Sequence, residues 1–368
     1  MSTALCQEYQ AKRHFGSLDG LRFICITAVI WHHSTWAQDL GGDIFLLTRG
    51  FLGVDFFFVI SGFLITTLLL REERTHGYFD LRHFYWRRVL RIVPIYFLVV
   101  GVNACFAVFV QGEPEKLALL PYYLLFVSNF LTEHIPNLSI TWSLSVEEQY
   151  YLIWPLLLML APRRWIVPIL LGLITVNVLG HMGLLGWTGI ASMTFGPMTL
   201  HLPPYAPILM GSVVAIMLHN PRGFGLLEPF LAWRGAALVS FGLLILALMF
   251  LPGRVLGWPA FLIHLAMCLV LITCVMREDH ALRPLLMNPA IARIGQISYG
   301  MYLYHLMFLV VGFKILTAVD LYSAPALFFF YYALTVITSE ISFRTFEAWF
   351  MRLRPRLRPT WAKEVRPS

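Results

Sequence analysis

Charge is scarce in this sequence. Only 13% of its 368 residues are Asp, Glu, Lys or Arg, where a soluble globular chain carries about 25%. That scarcity excludes a disordered chain and a fibrous, charge-laced repeat, and it leaves no basic surface for a nucleic-acid partner. Cysteine is also sparse. Cys6, Cys25, Cys105, Cys268 and Cys274 are scattered, with no CxxC and no paired spacing, so neither a disulfide framework nor a metal cluster is expected. Four of them lie in apolar segments, where a free thiol behaves as a small hydrophobe. There is no internal repeat, no low-complexity segment and no loop long enough for a soluble domain. The first twenty residues are polar and lack a separate apolar core. No cleavable signal peptide is expected, and insertion starts from the first spanning helix.

What the sequence has in abundance is apolar residues, at 58%, with a mean hydropathy of +0.72. They are gathered in long runs, and a bilayer span needs about 20 mostly apolar residues. Ten runs qualify: Gly20–Trp36, Gly50–Leu70, Val89–Val110, Val146–Ala161, Trp165–Gly180, Tyr205–Leu218, Ala236–Leu251, Trp258–Met276, Ile291–Phe313 and Tyr322–Ser342. The expected fold is an all-α, polytopic membrane bundle. Leu117–Leu131 is apolar but short and contains Pro121; it reads as re-entrant or interfacial, and counting it would make eleven spans.

The distribution of basic residues decides between ten and eleven, because Lys and Arg accumulate on the cytoplasmic side. Ten spans with both termini inside put 23 of the 27 basic residues in cytoplasmic segments, leaving Arg49, Lys116, Arg254 and Lys314 outside. An eleventh span scatters the bias. Residues 1–351 are therefore expected to form one transmembrane domain, followed by a basic cytoplasmic tail over 352–368 that anchors the topology.

Ionisable side chains inside spans are costly and point to function. His32 and His33 lie in the first run, Asp55 in the second, Glu147 and Glu148 in the fourth and His305 in the ninth. At ~1.5 Å per residue, His33 is roughly 18 Å from the inner surface of a ~30 Å core. With alternating span directions, the His and carboxylate groups come to one layer in the outer half. Plainer readings stand beside this one. Asp55 and Glu147 are also what a helix start favours, Tyr299, Tyr302 and His305 form a stripe that packing alone would explain, and His264 and Glu340 read as satisfied core groups. Arg87, Arg88 and Arg91 precede Pro94 at the cytoplasmic mouth of the third run. Arg88 and Arg91 share a helix face and could clamp a phosphate, although composition alone favours plain anchoring.

Five motifs, in order, resemble acyltransferase family 3. They are Leu18-Asp19-Gly20-Leu21-Arg22 followed by Trp31-His32-His33; Gly50 to Phe63 (GFLGVDFFFVISGF); and Arg87-Arg88-Val89-Leu90-Arg91 with Pro94. Thr141-Trp142-Ser143-Leu144-Ser145-Val146-Glu147-Glu148 and Ile297 to His305 (ISYGMYLYH) complete the set. Each is weak alone, and five in family order are specific. The resemblance implies a ten-span transferase that moves an acyl group, often acetyl, from cytoplasmic acyl-CoA to a carbohydrate or glycolipid acceptor at the outer face. It puts the family's essential His on His33, its glutamate on Glu147 and its Arg pair on Arg88 and Arg91, with Arg87 beside them. Ser61, Trp142, Tyr302 and His305 come from the same motifs and are expected at the acceptor site. The one departure is His32, where the family commonly has an aromatic or aliphatic residue. Some members carry a fused extracytoplasmic esterase-like domain, for which this chain has no room, so it is expected to act alone or with a partner.

Thioester-to-hydroxyl transfer needs a base, and His suits that task near neutral pH. The expected arrangement has His33 as base, with Asp55 or Glu147 orienting its other ring nitrogen. Acyl-CoA is a co-substrate, and neither a bound cofactor nor a metal is expected. The rival class, a proton-coupled transporter, also places His and carboxylates at depth. Paired broken helices in two matching halves would mark it, and here each motif occurs once.

Overall fold

The computed structural model describes residues 4–12, 14–40, 45–78, 80–185, 193–200, 203–252 and 256–353. Backbone groups at membrane depth find no water, so apolar runs fold as helices that satisfy them internally. Each of the ten runs lies on a helix: α1 (Ser17–His32), α2 (Gly53–His76), α3 (Leu81–Phe106), α4 (Thr141–Leu160), α5 (Arg163–His181), α6 (Ala206–His219), α7 (Ala236–Phe250), α8 (Trp258–Met276), α9 (Ser298–Ala318) and α10 (Ala324–Ser342). The chain is an all-α polytopic membrane protein. Several boundaries differ from the sequence reading, most of all in the third and ninth runs. α3 starts eight residues before Val89, capped by Asp80, whose carboxylate accepts from the His83 amide at 3.0 Å. The ninth run is broken, with a separate helix over Pro289–Gln296 and a fresh start at Ser298.

Among the described residues, six helices are long and apolar enough to cross a bilayer, and a seventh is reached if Pro221–Leu231 and α7, bent by 80°, count together. The remainder fall short for physical reasons. α1 has 16 residues and α6 has 14, while α4 carries Glu147 and Glu148. Length and composition therefore give fewer spans than the ten expected. Leu117–Leu131 is divided among short turns over Pro114–Leu119, Leu120–Leu124 and Ser128–Phe130, none of spanning length. Most of the basic tail, residues 354–368, lies outside the described residues.

Glycine sets the tightest crossing. A Cβ on Gly62 would lie 1.9 Å from the Ile208 carbonyl oxygen, and one on Gly211 would lie 2.1 Å from that of Val59. Without side chains there, the backbones of α2 and α6 touch, as small residues permit in membrane bundles. Ser212, the next residue on α6, lies 2.6 Å from the Tyr150 hydroxyl and so ties in α4. α1 is held by α10, where the Tyr331 hydroxyl donates to the Ile30 carbonyl at 2.5 Å and the Tyr332 hydroxyl lies 2.9 Å from that of Thr27.

Charged groups gather at the helix ends. Glu340 accepts a two-pronged contact from Arg293 at 2.8 and 3.0 Å and also bonds Arg344, so it is a satisfied group. Arg234 and Arg277 both bind Asp279 and hold its carboxyl well below the usual carboxylate range. Arg49, only 4% exposed, donates to the Leu248, Leu251 and Pro252 carbonyls and closes the end of α7. Those carbonyls have no partner within their own helix.

Candidate active site

The last turn of a helix leaves carbonyls unpaired, and two histidines sit at the end of α1. The imidazole Nδ1 of His33 is 2.9 Å from the Val29 carbonyl, one turn back. His32 instead turns its Nδ1 to the Thr48 carbonyl at 3.2 Å and its ring edge to Phe51. Successive residues point about 100° apart, so only one of the two can face the bundle interior. That one is His33, whose ring centre lies 5.0 Å from that of His305.

His305 is fully buried and is fixed at both ring nitrogens. Its Nδ1 lies 2.7 Å from the Tyr302 carbonyl, and its Nε2 lies 3.3 Å from His33 Nδ1. Tyr302 in turn joins α9 to the start of α4: its hydroxyl is 2.7 Å from Ser143 Oγ and donates to the Ile140 carbonyl at 2.9 Å. Trp142, half-buried next to this junction, stands edge-on to Phe58 with ring centres 6.2 Å apart.

Glu147 sits about one turn, or ~6 Å, further along α4 than Ser143. Its carboxylate accepts from the Tyr151 hydroxyl at 3.0 Å and lies within bonding reach of Ser61 on α2. Tyr151 forms the floor for Arg88, whose guanidinium carbon is 4.2 Å from the ring centre. Such a stack binds a cation through the ring's negative face. Arg88 therefore points inward and acts on both Glu147 and Glu148. Arg87 turns to Glu72 at 3.6 Å, and exposed Arg91 lies near Glu347. The two arginines at i and i+3 thus face different neighbours in this state.

Asp55 is placed elsewhere. Its carboxylate accepts from His264 Nε2 at 2.8 Å, and His264 is 4% exposed. Gly53 packs against Cys25 of α1, and Asp55, two residues on, points about 200° away around α2. Among the described residues no hydrogen bond or ion pair joins Asp55 or Glu147 to His33. The orienting position expected for one of those carboxylates is filled by the Val29 carbonyl and His305. The sequence reads His264 only as a satisfied core group and does not name Asp55 as its partner. The signal was present, because His264 is six residues, or ~9 Å, below the start of α8, the depth assigned to Asp55. The role of Tyr151 under Arg88 carried no such signal.

Residues 15–343 match the family profile described as the acyltransferase domain. The chain belongs to acyltransferase family 3. A Staphylococcus aureus (strain COL) protein provisionally named an O-acetyltransferase is 28% identical over 383 residues, covering 94% of this chain and 58% of the relative. The peptidoglycan O-acetyltransferase OatA of Listeria monocytogenes is 32% identical over 169 residues, 42% of this chain and 26% of its own. The O-acetyltransferase OatA of Staphylococcus aureus (strain NCTC 8325) is 34% identical over 175 residues, 43% and 27% of the two chains. The chain thus spans about 58% of the length of the first of these relatives. No solved structure matches it significantly.

Proposed function

We propose that this family member is a multi-pass O-acyltransferase of a bacterial inner membrane. It moves an acyl group, acetyl by analogy with its relatives' names, from cytoplasmic acyl-CoA to a hydroxyl of a cell-surface or exported carbohydrate. The observation that carries this reading is the setting of His33. Its Nδ1 faces a carbonyl that can only accept, so the hydrogen resides on Nδ1 and Nε2 keeps a free lone pair. A half-buried imidazole held in that tautomer is a general base in waiting.

In this reaction the acceptor hydroxyl loses its proton to His33 Nε2 as its oxygen attacks the thioester carbonyl. The C–S bond then breaks, and the CoA thiolate takes the proton from the imidazolium. Direct transfer and a transient acyl-imidazole both fit this geometry. Arg88 and Arg91, with Arg87 beside them, hold the donor's phosphates at the cytoplasmic mouth. From the Tyr151 level to the His305 level is about 16 Å along α4 and α9, a path for the donor's extended arm past Ser61 and Glu147. Trp142 and Tyr302 border the acceptor end.

The test supplies labelled acetyl-CoA to membranes containing the protein and follows label into the carbohydrate fraction. His33→Ala is expected to lower transfer by at least the 10²–10⁴-fold typical of acid–base catalysis. His32→Ala is expected to cost far less. An active His33→Ala enzyme beside a dead His32→Ala one would move the base to His32. Transfer unaffected by either change would remove the base from this helix end.

A further inference from the structure

We infer that His305 is the positioning residue of a neutral histidine–histidine pair, doing for His33 what a carboxylate does in a Ser-His-Asp triad. The inference rests on His33 acting as the base. Two acceptor-only groups determine where the protons lie. The Tyr302 carbonyl is 2.7 Å from His305 Nδ1, so that nitrogen carries a hydrogen, and a neutral His305 then presents a lone pair at Nε2. That lone pair is 3.3 Å from His33 Nδ1, which already donates to the Val29 carbonyl at 2.9 Å. The Nδ1 hydrogen of His33 is thus shared between two acceptors. Moving it to Nε2 would leave a nitrogen lone pair facing a carbonyl and a second lone pair, which is repulsive. The pair consequently has one self-consistent proton arrangement, and it leaves His33 Nε2 as the open base.

The choice of a neutral partner follows from burial. His305 is 0% exposed, and a carboxylate there would have to be desolvated before it oriented anything. The carboxylates of the outer layer are engaged elsewhere: Asp55 with His264 at 2.8 Å and Glu147 with Tyr151 at 3.0 Å. The other groups facing the pair are His32 at a ring separation of 5.2 Å, the Tyr302 ring at 5.7 Å, and Phe51 across His32. None of these carries a negative charge. When His33 takes the hydroxyl proton on Nε2, both acceptors on its Nδ1 side remain in place to stabilise the imidazolium.

The experiment measures transfer from labelled acetyl-CoA for purified His305→Ala and His305→Gln. Acetyl-CoA binding serves as the check on folding. Gln carries an acceptor near the Nε2 position of His, so His305→Gln is expected to retain at least tenfold more activity than His305→Ala. Both are expected to bind acetyl-CoA normally. Equal losses in His305→Gln and His305→Ala, with acetyl-CoA binding intact, would overturn the assignment and return His305 to a packing or acceptor-contact role. An active His33→Ala enzyme would instead overturn the reading of His33 as base, which separates the two failures.

Discussion

At the scale of single residues, Arg88 shows how a cation is held inside a bilayer-spanning bundle. A guanidinium stacked 4.2 Å over the Tyr151 ring and facing Glu147 and Glu148 is fixed in direction. Arg87 pairs with Glu72 at 3.6 Å on a more exposed side of α3, with its side chain 43% exposed. If Arg88 contacts the donor's phosphate, its loss removes a charge-assisted contact of ~1.5–3 kcal/mol. Arg88→Ala is then expected to weaken acetyl-CoA binding about ten- to a hundredfold, and by more than Arg87→Ala, because Arg87 is already paired with Glu72. Isothermal titration of the detergent-solubilised protein checks both. An unchanged affinity in folded Arg88→Ala would reduce that arginine to a clamp on the two glutamates.

Between elements, two different devices fix neighbours. The first is the backbone contact of α2 with α6, where Gly62 and Gly211 leave no room for a Cβ. Introducing a side chain there must push the helices apart, and overpacking costs typically 1–3 kcal/mol. Gly211→Val is expected to lower the thermal midpoint by several degrees, and Gly242→Val on α7, where nothing lies within 4 Å of a new Cβ, is expected to leave it nearly unchanged. Differential scanning fluorimetry compares them, and similar midpoints would show that the crossing tolerates separation. The second device is the Asp55–His264 bond between α2 and α8. Removing one partner of a buried pair strands the other, at a cost of about 3–5 kcal/mol. His264→Leu is accordingly expected to destabilise strongly, while the double change Asp55→Leu with His264→Leu recovers much of the loss. A double variant as unstable as the single one would mean that the pair is not coupled.

For the whole molecule, the alternation of helix directions has a consequence for charge. Lys12 with Glu278, Arg87 with Glu72, Arg163 with Glu73, Arg234 with Asp279 and Arg293 with Glu340 all join groups that ten alternating spans put at the cytoplasmic ends. Lys116 and Glu133, 3.1 Å apart, join two groups assigned to the opposite side. In each pair the two members share one end of the bundle, as the ten-span expectation requires of them. A reporter active only outside the cytoplasm is expected to stay silent when fused after Ser368 and to be active when inserted beside Glu133. An active fusion after Ser368 would overturn that topology.

Depth is what the sequence by itself determined. The rise per residue along a helix is constant, so counting along the apolar runs is enough to bring His33 and His305 to one level and to put the arginines at one end of the third run. The five motifs were equally legible, since they need no third dimension. Which groups in a layer meet was decided only by the tertiary structure, because that depends on the rotation of each helix and on its neighbours. Gly50 packs on Ala28 and His32 and Gly53 on Cys25 and Val29, so Asp55 lies beside the Cys25 level of α1, about 12 Å short of His33, and α2 turns it about 200° from the Gly53 face, where it meets His264 instead. Glu147 is turned towards Ser61 and Tyr151. His305 comes within 3.3 Å of His33 Nδ1, because Tyr302 anchors α9 to α4 and its carbonyl fixes the imidazole one turn on. Rotation about a helix axis costs nothing in hydropathy when apolar residues surround it, so only close backbone contacts and buried hydrogen bonds could select it.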